Sequence, residues 1–210
     1  MKASLPIVAV IGLSFMTPAP SQPGEGCNLE PTVLFYDVKG TSLSEIHASL
    51  REHGPRDERG SARFAYTDWT IEWNWGTTPA KRVELDSLRV QCSATVRLPK
   101  LVVTPDTPIS VVRSWHDFVE RTRDHEMRHV EHVTRGASRI RQRLEAAQVR
   151  LGALSPRQAN AIVSRIVEEI REFDRAYDRR TNHGYTEGTW ELARVPILPA
   201  HEVALDLKNQ

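Results

Sequence analysis

Two histidines stand four residues apart at His125 and His129, and Glu126 directly follows the first. In a helix they lie one turn apart on one face, near enough to share a metal ion. Glu126 then stands beside the ion's open position, where it can take a proton from a bound water. The run His125-Glu126-Met127-Arg128-His129 therefore points to a zinc hydrolase, and most directly to a peptidase. Zinc asks for about four ligands, one of them water in a catalytic site, so a third protein ligand is needed. His132 continues the same face. On a straight helix, however, it lies about 10 Å along the axis from His125, too far for one ion to hold all three. It is expected to pack or to hydrogen-bond behind the site.

Two elements must position that third ligand. Phe118, Thr122, His125, His129, His132, Val133, Gly136, Ile140, Leu144, Ala147 and Leu151 keep helical spacing as far as Gly152. Ser114 is the expected N-cap, with Asp117 at the third helical position. Ser155 and Pro156 open a second helix as N-cap and first residue. Its stripe is Ala159, Val163, Ile166, Ile170, Phe173 and Tyr177, and it breaks at Thr181-Asn182-His183-Gly184. Two long helices and a short loop predict an antiparallel hairpin. Equal counts outward from Gly152 bring Tyr177 to Arg180 level with Met127.

That segment offers His183 and Asp178. His183 is the preferred third ligand, because it sits at the helix end where Gly184 frees the backbone to aim it. Asp178 lies off the centre of the stripe and is expected to hold an imidazole N–H, while remaining the alternative ligand. Glu126 is the general base, and inward-facing Tyr177 is the candidate oxyanion donor, with Tyr185 as a second candidate.

The upstream half alternates instead. A strand is expected at 33–39, then a helix over 42–53 that opens with a capping box of Ser42 and Glu45. An alternating strand follows at 62–75, then a strand pair or one long bent strand over 82–98. Trp69, Trp73 and Trp75 share one strand face and read as core packing rather than a substrate platform. Beyond Tyr185 the pattern is weak, with one further strand expected at 191–198. The expected fold class is α+β: a small antiparallel β lobe with one helix (22–104), then a long helical hairpin bearing the metal site (105–210). Together they form one integrated domain over 22–210.

Lys2, the apolar run from Leu5 to Phe15 and the small, proline-rich stretch to Gly24 have the layout of a secretory signal peptide. Cleavage is expected after Ser21, and the apolar run is too short to span a membrane. In an exported chain the pair Cys27 and Cys92 predicts one disulfide. The 28 Lys and Arg against 27 Asp and Glu, interleaved, give no basic surface for nucleic acid. The combined expectation is a secreted or periplasmic Zn2+ metallopeptidase acting on a peptide or protein. A non-peptidase zinc hydrolase, such as a cell-wall amidase, and a non-catalytic periplasmic metal-binding module are the competing readings.

One family shares these landmarks. Tyr36-x-x-x-Gly40, the strand Phe64-Ala65-Tyr66-Thr67-Asp68-Trp69-Thr70-Ile71, Leu98-Pro99, Trp115, the H-E-x-x-H run and Tyr177-Asp178-x-x-Thr181-x-His183-Gly184 follow in order. In this the chain resembles the bacterial exported proteins catalogued as domain of unknown function 922, described as predicted secreted zinc-dependent proteases. The resemblance covers nearly all of the mature chain. It implies export, and it implies that His125, Glu126 and His129 work with the His183 segment.

Overall fold

The alternating first half folds into three strands, β1 (Thr32–Val38), β2 (Tyr66–Thr77) and β3 (Val83–Leu101), with helix α1 (Leu43–His53) after β1. The computed structural model describes residues 27, 29–57 and 60–189, so the expected signal peptide and the strand expected at 191–198 lie outside the described residues. The sheet order is β1-β3-β2. β2 and β3 pair antiparallel, with Thr67 opposite Val96 and Trp69 opposite Ala94. β1 runs parallel to β3, so the sheet is mixed where the alternation alone predicts an antiparallel one. The route explains the difference. Parallel neighbours need a crossover, and the chain passes through α1 and all of β2 between them. α1 opens with the expected capping box: Ser42 accepts from the Glu45 N–H and the Glu45 carboxylate accepts from the Ser42 N–H, each at 3.3 Å.

Helices α2 (Ile109–Ala137) and α3 (Arg139–Leu151) form one bent helix of 43 residues, with Ser138 between them. The Ser138 hydroxyl bonds back to the Arg135 carbonyl at 2.9 Å, a local competitor for helical hydrogen bonding. α2 begins at Ile109 behind Pro108, five residues before the expected cap. Ser114 instead donates to the Ser110 carbonyl at 3.0 Å, one turn back inside the helix. Gly152, at φ 73°, ends α3 in the left-handed conformation that glycine adopts without strain. Helix α4 (Pro156–Thr181) starts at the Ser155 cap, with Gln158 completing a second capping box.

α4 packs back on α2 and α3 as the hairpin requires. Val133, Ile140 and Leu144 meet Val163, Ile166 and Ile170, and the sheet adds Ile71, Leu85 and Leu88 to the same cluster. Trp69, Trp73 and Trp75 pack on its margin, in keeping with a core role. Gly136 sets the closeness of the helices, because a Cβ there would collide with the Ile170 side chain. Toward its C-terminus α4 is rotated from the expected stripe: Phe173 is 51% exposed, whereas Tyr177 and Thr181 are buried. This rotation carries Asp174 and Asp178 toward α2.

Cys27 and Cys92 form the expected disulfide, joining residues 65 apart in sequence. A loop of that length is restrained by about 4 kcal/mol in the chain-entropy picture, and such bonds persist in oxidising compartments. No described helix is long and apolar enough to cross a membrane.

Candidate metal centre

His125 and His129 lie in the middle of α2, one turn apart, and both are buried. Their Nε2 atoms converge on a single oxygen of α4. His125 Nε2 stands 3.3 Å from Asp178 Oδ1, and His129 Nε2 stands 3.2 Å from the same atom. Ligands at the usual zinc distances of about 2.0–2.1 Å, arranged tetrahedrally, are roughly 3.3 Å from one another. The three residues thus have the chemistry and the spacing to hold one such ion, and their donor atoms all lie within 4.8 Å of one another.

The opposite ring nitrogens are anchored. His125 Nδ1 lies 2.8 Å from Glu187 Oε2, and His129 Nδ1 lies 3.0 Å from Asp174 Oδ1. A carboxylate only accepts, so each Nδ1 carries the proton and each Nε2 is left toward Asp178. Asp174 also accepts from His132 Nδ1 at 2.7 Å and, through its other oxygen, from the Trp69 indole at 2.9 Å. His132 therefore stands behind the site, as expected. His129, His132 and Asp174 are themselves close enough to hold an ion. The hydrogen bonds already satisfy Asp174 on both oxygens, which marks it as an anchor for the imidazoles.

Charge in the metal-free protein follows this network. Burial opposes a charged His129, but hydrogen bonds to Asp174 and Asp178 outweigh it and raise its pKa to about 10. His125 is also raised, its bonds to Asp178 and Glu187 overcoming burial. Asp178 is pushed up by burial, yet the two imidazoles hold it well below the usual carboxylate range. Protons on the histidines thus bridge to Asp178 where an ion would otherwise do so.

Glu126 is buried, and its Oε2 accepts a 2.7 Å hydrogen bond from Thr67 of β2. Burial raises its pKa, the direction that suits a proton acceptor working near neutral pH. The site opens into a cleft of about 690 Å³ between β2 and α4. His125, Glu126, His129, Asp178 and His183 line it, with the Asp57–Arg63 ion pair among the lining residues.

Of the two third-ligand candidates, Asp178 rather than His183 is the one brought to the histidine nitrogens. Asp178 joins the histidine nitrogens because α4 turns that side toward α2. His183 instead follows the helix terminus outward; its side chain is 45% exposed and its Nδ1 is 3.5 Å from Asp178 Oδ2. Tyr177 stands behind His125. Its ring stacks on His125 with centroids 4.9 Å apart, its hydroxyl donates to Glu187 at 3.0 Å, and it does not line the cleft. It braces His125 and Glu187, and its hydroxyl proton is already engaged. Tyr185 does not line the cleft either.

Three participants escape the sequence reading. Glu187 lies on a 3-10 turn (Tyr185–Glu187) where no periodicity marks it; its one signal is the pair of flanking glycines, Gly184 and Gly188, both at positive φ. Thr67 is signalled only as a polar residue on the strand face that carries Trp69. Asp174 lies one turn before Asp178. No curated protein and no solved structure matches the chain. Residues 33–184 match the family described as bacterial proteins of unknown function, DUF922, and the chain belongs to that family.

Proposed function

We propose that this protein is a zinc-dependent peptidase working in an oxidising, extracytoplasmic compartment. One observation carries the reading: two imidazole nitrogens and one carboxylate oxygen converge at zinc-like spacing beside a buried glutamate, at the floor of an open cleft. His125, His129 and Asp178 would hold the ion. Zinc in such a site lowers the pKa of a bound water to near 7 and polarises a substrate carbonyl. Glu126 accepts the proton of the attacking water and returns it to the leaving amine nitrogen as the C–N bond breaks. Thr67 fixes the Glu126 carboxylate for both transfers, while Glu187 and Asp174 hold the imidazole rings in orientation. The disulfide supports the compartment, and the cleft volume suits a short extended segment of substrate.

The test pairs metal content with cleavage. Protein purified without added metal should contain close to one equivalent of zinc, both as wild type and as Glu126→Gln. Only the wild type should cleave a broad peptide library, with the variant slower by about 10²–10⁴-fold. Undiminished cleavage by Glu126→Gln would sink the proposed mechanism. A zinc-loaded wild type that cleaves no peptide would shift the reading to another zinc hydrolase, if cell-wall fragments are cut, or to a non-catalytic metal-binding module, if they are not.

A further inference from the structure

The turn that ends α4 adopts a backbone that side-chain-bearing residues rarely take. φ is 50° at Asn182, 53° at His183 and 82° at Gly184. A single left-handed residue, usually glycine or asparagine, is enough to end a helix. A second one at histidine is not required for that purpose, and residues held in such regions cluster at functional sites. The turn is fastened from several sides. The His183 N–H donates to the Asp178 carbonyl at 2.7 Å, the Gly184 N–H to the Thr181 hydroxyl at 3.2 Å, and the Thr189 N–H to the Gly184 carbonyl at 3.3 Å. Gly184 also lies directly on the site: a Cβ there would stand 2.7 Å from the Thr189 methyl and 3.3 Å from His125 Cγ.

This conformation puts the His183 ring in the cleft, beside Asp178 and on the open side of the site. Glu187 and Asp174 are bonded to the far nitrogens of the proposed ligands, whereas His183 touches neither ligand ring by a hydrogen bond. Its ring has one polar contact among the described residues, Nδ1 at 3.5 Å from Asp178 Oδ2, and it lines the cleft, where a ring nitrogen can meet an occupant. Tyr177, the first candidate for oxyanion contact, already donates its hydroxyl hydrogen bond to Glu187.

Resting on the peptidase reading, we propose that His183 is a catalytic residue that donates a ring N–H to the oxyanion formed at the scissile carbonyl. As the water oxygen bonds to the carbonyl carbon, the C=O π pair moves onto the carbonyl oxygen and the water proton passes to Glu126. His183 keeps its own proton and contributes only the hydrogen bond, which strengthens as charge develops.

His183→Gly isolates the side chain, because glycine accepts the same φ without strain. Zinc affinity, melting temperature, kcat and KM on a cleaved peptide, and the Kd of a phosphonate peptide that mimics the tetrahedral adduct are measured for this variant and the wild type. The expected result is unchanged zinc affinity and melting temperature, KM within about twofold, and kcat lower by roughly 10²–10³-fold, with phosphonate binding weakened in parallel. An active wild type with kcat within threefold of His183→Gly overturns the inference alone. Loss of zinc from the variant also overturns it, by making His183 a ligand. A zinc-loaded wild type that cleaves no peptide sinks the peptidase reading, and this inference falls with it.

Discussion

The contact between α2 and α4 has two ends built from the same helical spacing with opposite chemistry. At one end Val133, Val163, Ile166 and Ile170 are at most 4% exposed and meet across the close approach at Gly136. At the other, His125, Glu126 and His129 are nearly as buried, at 5–8%, and face Asp174, Tyr177 and Asp178. Burial at the apolar end needs only area, worth about 1.5–3 kcal/mol for each large side chain. Burial at the polar end is tolerated because nearly every donor has been given an acceptor. α2–α4 packing therefore joins an apolar part to a part built of titratable groups that could hold a metal ion.

The sharpest way to break this division is Asp178→Ala. It removes one of three proposed ligands, so zinc affinity, read by competition with a chelating dye, should fall by more than the 10–100-fold typical of losing an outer hydrogen-bond partner. Wild-type affinity in this variant would show that the polar end is not organised around Asp178.

Protons come next in size. Zinc must displace the extra proton that His129 holds up to a pKa of about 10. Zinc affinity should therefore fall about tenfold per pH unit for that proton alone, or roughly 100-fold from pH 8 to pH 6. Stability of the metal-free protein carries the opposite sign. The folded pKa of His129 lies above its unfolded value, so its contribution is full below about pH 6.5 and is lost as pH rises toward 10. Calorimetry should show the metal-free melting temperature declining over that window. A flat profile would mean that the imidazole–carboxylate network does not bear on stability.

Glu187→Gln keeps shape and removes charge behind His125, so zinc affinity should drop about 10–100-fold while the fold persists. Gly136→Ala probes the apolar end instead. The new methyl group meets Ile170, so stability should fall by about 1–3 kcal/mol in denaturant titration. Zinc affinity should stay within about twofold. A large loss of zinc here would erase the division between the two ends.

Much of this was legible in the residues. The capping box at Ser42, the Ser155–Pro156 start and the Gly152 stop are local chemistry, and each lies where its residue types predict. Counting along the hairpin brought the Tyr177–Arg180 stretch to the H-E-x-x-H turn, because helical rise is constant. The difference is one of rotation. Hydrophobicity places Phe173 on the buried stripe and Asp178 off it; Phe173 is 51% exposed, the buried line runs through Ile170, Tyr177 and Thr181, and half-buried Asp174 and Asp178 beside it reach the imidazoles. Glu187 and Thr67 come from segments that no periodicity ties to α2, and they meet it only after the chain has folded back.

That two imidazoles and a glutamate share one turn of one helix, and that a second helix returns to that turn, can be read from the residues alone. Those are properties of a single backbone period and a single count. The folded chain is needed to see that Asp178 rather than His183 faces the imidazole nitrogens, that Glu187 and Asp174 bond to the rings, and that His183 lines the cleft. The rotation of one helix against another, and the direction of a turn that leaves it, are set by packing between segments 42–62 residues apart, and no local pattern encodes that angle.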